Sequence, residues 1–244
     1  MKKTYLALAV AAALSAASGV VQAQDYNVEI GASYIDFDGD DHALKLDATF
    51  HFETVNTAGR PLAEAAFMGR NNNVSAFYAT RDDADIDRFA IGGEFWLDDI
   101  YLSATYMDES GDNSDDESSY ELRVGYMVGD DFLVSLGYED GDERDDETIS
   151  LAAKYVGQIG DNFINVEGGI ASTDGDNLFS LAGDYYFTRE FSAGLRLAES
   201  DVSGVKTRYG IAARYFVTPT ISGEIEYLTQ DSVDEFTLRV AARF

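Results

Sequence analysis

The side chains that could do chemistry in this 244-residue chain are ionic rather than nucleophilic. There is no Cys, so thiolate catalysis, disulfides and sulfur-ligated metals are excluded. Only His42 and His51 could act as imidazole bases, and no Gly-x-Ser-x-Gly sequence supplies an activated serine. A bland structural role accounts for each histidine more simply than ester hydrolysis does. The chain is therefore read as a non-enzyme, with no metal and no cofactor. What recurs instead is charge on alternate positions of apolar-rich stretches: Lys45, Asp47, Arg88, Glu94, Arg123, Lys154, Arg196, Arg208, Arg214, Glu224, Arg239 and Arg243. The chemistry open to such groups is electrostatic. Opposite charges facing each other across a wet passage would set a transverse field and sort ions. Neighbouring pairs that cancel would leave only a polar wall, and both readings stay open. Arg208, Arg214, Arg239 and Arg243 crowd toward the C-terminus, which tilts the balance toward a positive strip. Arg239 and Arg243 would meet Glu29 if the first and last strands pair.

The elements that position these charges are strands. Glu235 to Phe244 places Phe236, Leu238, Val240, Ala242 and Phe244 on one face and Thr237, Arg239, Ala241 and Arg243 on the other. That period of two marks a strand between two different surroundings. The same alternation recurs from Tyr26 onward. In one segment Leu44, Leu46, Ala48, Phe50 and Phe52 oppose Lys45, Asp47, Thr49, His51 and Glu53, so a one-residue slip would move all the polar groups to the apolar side. Fourteen such segments can be counted.

The apolar faces carry their aromatics at the ends. One set is Tyr26, Phe52, Phe95, Tyr126, Phe132, Tyr155, Phe187, Phe191, Tyr215 and Phe244; the other includes Tyr34, Tyr78, Phe89, Tyr106, Tyr120, Phe179, Tyr209 and Phe236. A soluble sandwich would hide such rings mid-strand in a core. Rings at both ends of an aliphatic band suit strands that cross a lipid bilayer. No apolar run after the N-terminus approaches the roughly 20 residues of a membrane helix. The predicted fold is all-β: a transmembrane, antiparallel, up-and-down barrel of 14 strands. Closure satisfies every backbone group, the condition for strands in hydrocarbon.

Residues 1–23 stand apart. Lys2 and Lys3 precede an Ala-rich apolar stretch, and Val21-Gln22-Ala23 offers a cut before Gln24. This predicts a secretory signal peptide, with residues 24–244 as the barrel. The formal net charge is −28, which disfavours nucleic acid as a partner.

The connections alternate. One set is short, as in Gly129-Asp130-Asp131 and Thr218-Pro219-Thr220, and the count places it on the periplasmic side. The other is longer and acidic, as in Asp108 to Ser119, and faces outward. Val55 to Asn72 breaks the pattern. Pro61 at a first helical position and Gly69 just past the end of Pro61 to Met68 predict one short helix in a periplasmic connection. Its apolar Leu62, Ala66 and Phe67 must pack on something. Thr57 to Arg70 could constrict the lumen, with Pro61, Leu62, Glu64 and Phe67 at the constriction. A turn resting on the barrel rim is the plainer alternative.

The stretch Pro61-Leu62-Ala63-Glu64-Ala65-Ala66-Phe67, after a strand ending in Phe50-His51-Phe52, resembles a family of general porins of gammaproteobacterial outer membranes. The resemblance implies a passive channel in the bacterial outer membrane. It also implies that Phe244 and its strand are read by the barrel-assembly machinery. The expected function is a narrow, water-filled pore for ions and small hydrophilic solutes. The alternatives are a plugged barrel carrying hydrophobic molecules, or a structural barrel without open-channel activity. Lipid and lipopolysaccharide are the expected surroundings, and monomer and homotrimer both fit.

Overall fold

The structure is a computed structural model that describes residues 25–38, 41–82, 85–111, 114–142 and 147–244. The predicted signal peptide and the tips of several hairpins lie outside the described residues. Fourteen strands form a closed barrel: β1 (Tyr26–Phe37), β2 (His42–Val55), β3 (Asn73–Arg81), β4 (Ile86–Leu97), β5 (Ile100–Gly111), β6 (Ser114–Val128), β7 (Phe132–Gly141), β8 (Thr148–Ile159), β9 (Asn162–Thr173), β10 (Asp176–Tyr186), β11 (Phe191–Ser200), β12 (Arg208–Thr218), β13 (Ile221–Gln230) and β14 (Val233–Arg243). Each strand pairs antiparallel with its sequence neighbours. The ring closes where β1 meets β14 in the register Glu29↔Arg243 to Phe37↔Glu235. Phe244 extends that seam through main-chain bonds with Val28.

Alternation fixes which way each strand faces. Leu195 is 68% exposed and Val217 67%, and exposed Leu, Ile, Val, Phe and Tyr surround the barrel. A face this apolar needs hydrocarbon rather than water against it. The aromatic girdles form as predicted at most positions, with one exception. Between Tyr26 and Val28 the β1–β2 register shifts. That irregularity reverses the side-chain phase, so Tyr26 turns inward and is buried beside Val55 and Ala65.

The predicted acidic loops are shorter than their composition suggests. Strand pairing runs on through Met107↔Ser119 to Glu109↔Glu117, and through Asp176↔Thr173 and Gln230↔Val233. Main-chain groups make a ladder, so acidic side chains facing water do not interrupt it. Asp174 and Gly175 close one hairpin at φ 52° and 94°, and Asp231 sits at φ 58° in another. Lys206 lies in the connection between β11 and β12.

The longest described connection runs from 56 to 72. It carries a 3-10 turn (Leu62–Glu64) followed by α1 (Ala65–Met68). Pro61 stands at the N-cap of the first turn, one position earlier than expected. The left-handed residue that ends α1 is Arg70 at φ 50°, rather than Gly69 at φ −87°. Gly69 is needed for space, since a Cβ there would collide with Asn71 Oδ1.

Candidate functional site

The 56–72 connection folds into the barrel end instead of resting on its rim. Leu62, Ala65 and Thr57 are fully buried. Inward-facing apolar side chains at the short-turn ends of the strands pack on α1. Phe67 packs on a cluster of Trp96, Tyr101, Met127 and Leu133, and Ala66 packs on Tyr26 and Val55. Phe67 meets Trp96 edge-on at 6.2 Å between ring centroids. Among the described residues the barrel thus has an apolar collar at this end, and the connection fills it.

Polar contacts tie the segment to walls far apart in the ring. Glu64 lies between β2 and β3, yet its carboxylate is held by Lys154 Nζ on β8 at 2.9 Å. The Tyr186 hydroxyl on β10 donates to it at 2.7 Å, and Asn165 Nδ2 on β9 at 3.2 Å. In a closed ring of fourteen strands β9 and β10 stand opposite β2 and β3. The segment therefore crosses the lumen. Arg189, in the β10–β11 turn, donates to the carbonyls of Arg60 (2.9 Å) and Thr57 (2.5 Å), and its own carbonyl accepts from Leu62 N. At the other side Arg70 bridges Asp99 (2.7 Å) and Asp130 (3.2 Å) in two further turns.

The crossing also touches the closure seam. Arg243 is 4% exposed. Its Nε pairs with Glu29 at 2.6 Å and its Nη1 donates to the Leu62 carbonyl at 2.8 Å. The guanidinium lies between the rings of Tyr26 and Phe216, 4.3 and 4.5 Å from their centroids. Arg239, one turn of the ladder away, reaches Glu29 at 3.0 Å and Asp47 at 2.6 Å. Asp47 is on β2, so this contact passes over β1. Gly31 makes room: a Cβ there would lie 2.5 Å from Arg239 Nη2 and 2.6 Å from Asp47 Oδ2.

The other predicted wall residues, Lys45 apart, are also paired. Arg214 binds Glu224, Arg123 binds Glu121 and Arg88 binds Glu109. Arg208 binds Glu235 at 2.7 Å. Arg196 bridges Asp184 (3.1 Å) and Glu226 (3.2 Å), and Lys154 reaches Glu167 as well as Glu64. Glu94 accepts from Asn73 and Tyr101. Each arginine of the supposed positive strip thus faces a carboxylate: Arg214 and Arg243 meet the residue opposite on the neighbouring strand, Glu224 and Glu29, whereas Arg208 and Arg239 reach Glu235 and Asp47 two strands away. Two cavities, of about 420 Å³ and about 260 Å³, lie directly above the segment and share Ala63 and Arg214 in their walls. Their linings are charged and hydroxylic, a surface for water and polar solutes.

His42 pairs with Asp82 at 3.2 Å at one end of β2, and His51 stands near the other, its ring edge on Tyr26. His51 Nδ1 is buried without a hydrogen-bond partner. The two imidazoles are thus not gathered into one site.

Sequence reasoning missed the collar and the pins Arg70, Arg189 and Asn165. A signal for the collar was present. Trp96, Tyr101, Met127, Leu133, Tyr186 and Phe216 are large apolar residues on the inward phase, all near short turns. A water-filled lumen has no use for them, so something apolar had to cover them.

A family model described as "Putative general bacterial porin" matches residues 1–149. The crystal structure of the Acinetobacter baumannii outer membrane protein Omp33 is similar at TM-score 0.82 and 25% identity, over 91% of this chain and 100% of that one. The KdgM porin in complex with disordered oligogalacturonate matches at TM-score 0.51 and 13% identity, over 88% and 99%. A mutant of the Rhodopseudomonas blastica porin matches at TM-score 0.54 and 12% identity, over 89% and 99%. These two share the fold alone. No curated protein sequence matches the chain. The lipid-facing girdles, the polar lumen and the family match agree: the chain belongs to the general bacterial porin family and is a channel of the bacterial outer membrane.

Proposed function

We propose that this porin is a narrow passive channel whose bore is set at the periplasmic end by residues 57–70. Pro61, Leu62, Glu64 and Phe67 form the constriction, and ions and small hydrophilic solutes pass beside them. The observation that carries the reading is Glu64: a residue of the β2–β3 connection bound by Lys154, Asn165 and Tyr186 on the opposite wall. The paired charges listing the wall from Lys154 to Arg243 favour water over lipid in the lumen. This counts against the carriage of hydrophobic molecules. With the wall pairs neutralised, the acidic outer hairpins dominate the field, and a cation preference follows. Residues 1–23 direct export and are removed before Gln24. Phe244, paired to β1 at the seam, serves as the recognition end for the barrel-assembly machinery.

The test is single-channel conductance in a planar bilayer, comparing the mature chain with a variant lacking residues 57–70. The variant should give steps several times larger. Equal steps from two correctly folded barrels would remove the constriction from the account. A reversal potential of anionic sign in a salt gradient would overturn the cation preference.

A further inference from the structure

Lys45 differs from every other inward-facing cation of the barrel strands. The others each meet a carboxylate. Lys45 has no carboxylate partner among the described residues; its Nζ lies 4.4 Å over the ring of Phe77 instead. Alternation places both side chains on the lumen side, because their strand neighbours Leu46 and Tyr78 are exposed on the lipid face. The strands β2 and β3 carry them side by side, with Lys45 opposite Ala79 and Phe77 opposite Asp47. Asp47, two residues along from Lys45, is already taken by Arg239. Lys45 is three residues from the outer end of β2, well away from the constriction.

An ammonium over a ring face keeps its charge, since the contact is an attraction to the ring quadrupole and neutralises nothing. A solute passing this level therefore meets one uncompensated positive charge beside one apolar ring. A small monocarboxylate with a flat apolar body matches both features. Its carboxylate meets Nζ, and its body lies against the ring edge left open by Lys45. A polyanion fits less well, because the acidic hairpins at the outer mouth repel each added charge. We propose that Lys45 and Phe77 form an anion subsite in the outer half of the lumen, which admits small organic monocarboxylates through an otherwise cation-favouring pore. This rests on the channel reading above.

The experiment is bi-ionic reversal potential in a planar bilayer, with benzoate on one side and chloride on the other. The full mature chain, Lys45→Met, Phe77→Ala and the 57–70 deletion would each be measured. Lys45→Met should lower the permeability of both anions relative to potassium by about two- to fivefold, the size expected of one exposed ion pair. Phe77→Ala should lower benzoate relative to chloride by about twofold and leave chloride against potassium unchanged. Unchanged reversal potentials in Lys45→Met, with clear steps, would overturn the subsite and leave the channel standing. Equal losses of benzoate and chloride in Phe77→Ala would remove the ring from it. Absence of steps from both the full chain and the deletion variant, each folded, would instead overturn the channel reading and this inference with it.

Discussion

Arg243→Met should loosen the inserted segment before it loosens the barrel. Arg243 makes an ion pair with Glu29, a hydrogen bond to the Leu62 carbonyl and two ring contacts. Removing one partner of a buried pair costs about 3–5 kcal/mol. Glu29 retains Arg239 at 3.0 Å, so the lower end applies. The orphaned Leu62 carbonyl adds about 1–3 kcal/mol. Methionine keeps much of the stem packing, and terms that share one side chain do not add fully. A net loss of about 3 kcal/mol is expected, roughly a hundredfold in the docked population. Arg243→Lys should lose less, because an ammonium keeps the charge but not the planar fork that serves Glu29 and Leu62 together.

The chain supplies its own reporter. Trp96 is the lone tryptophan, and it is buried in the collar against Phe67. Urea titration of the refolded barrel, followed by Trp96 emission, reads segment docking. Mobility of unheated samples on detergent gels reads the closed barrel. In Arg243→Met the emission should red-shift at lower urea than in the parent, by about 1–1.5 M if m is about 2–3 kcal/mol/M. Gel mobility should change later than emission. Coincident transitions at the parental midpoint would show that Arg243 does not hold the segment, and the reasoning from its contacts would fail.

Glu64→Gln should weaken the far end of the crossing, since the amide leaves Lys154 with Glu167 alone; single-channel recordings should show more frequent large openings than the parent. Gly31→Ala should push Arg239 off Asp47 and destabilise the barrel itself by about 1–3 kcal/mol of overpacking, which lowers its urea midpoint. Outside the membrane, the backbone N–H and side-chain amide of Asn177 hold the Asp201 carboxyl below its usual range. Its contribution to the outer mouth is therefore complete above an unfolded value of about 3.9 and fades as pH falls through the lower folded value. Carbon-detected NMR titration of Asp201 should show that depressed midpoint, and Asn177→Ala should return it upward.

Alternation alone determined the barrel. A period of two with aromatics at the strand ends, as in Phe236 to Phe244, specifies both the bilayer and the register, because a slip of one residue would put Lys45, Asp47 and His51 into lipid. Facing also follows from local pattern, and so the inward position of Arg239 or Glu224 was legible. Partners were legible only where a register could be guessed, as for Glu29 with Arg239 and Arg243. The rest depended on closure. Tyr26 turned inward because of a register shift that no single-strand pattern records. The acidic stretches became ladder because pairing is a property of the main chain, which composition does not report. The crossing of the lumen needed Glu64 to find Lys154, about ninety residues away in sequence. That contact exists only because fourteen paired strands curve back on themselves and bring opposite walls within reach of one short connection.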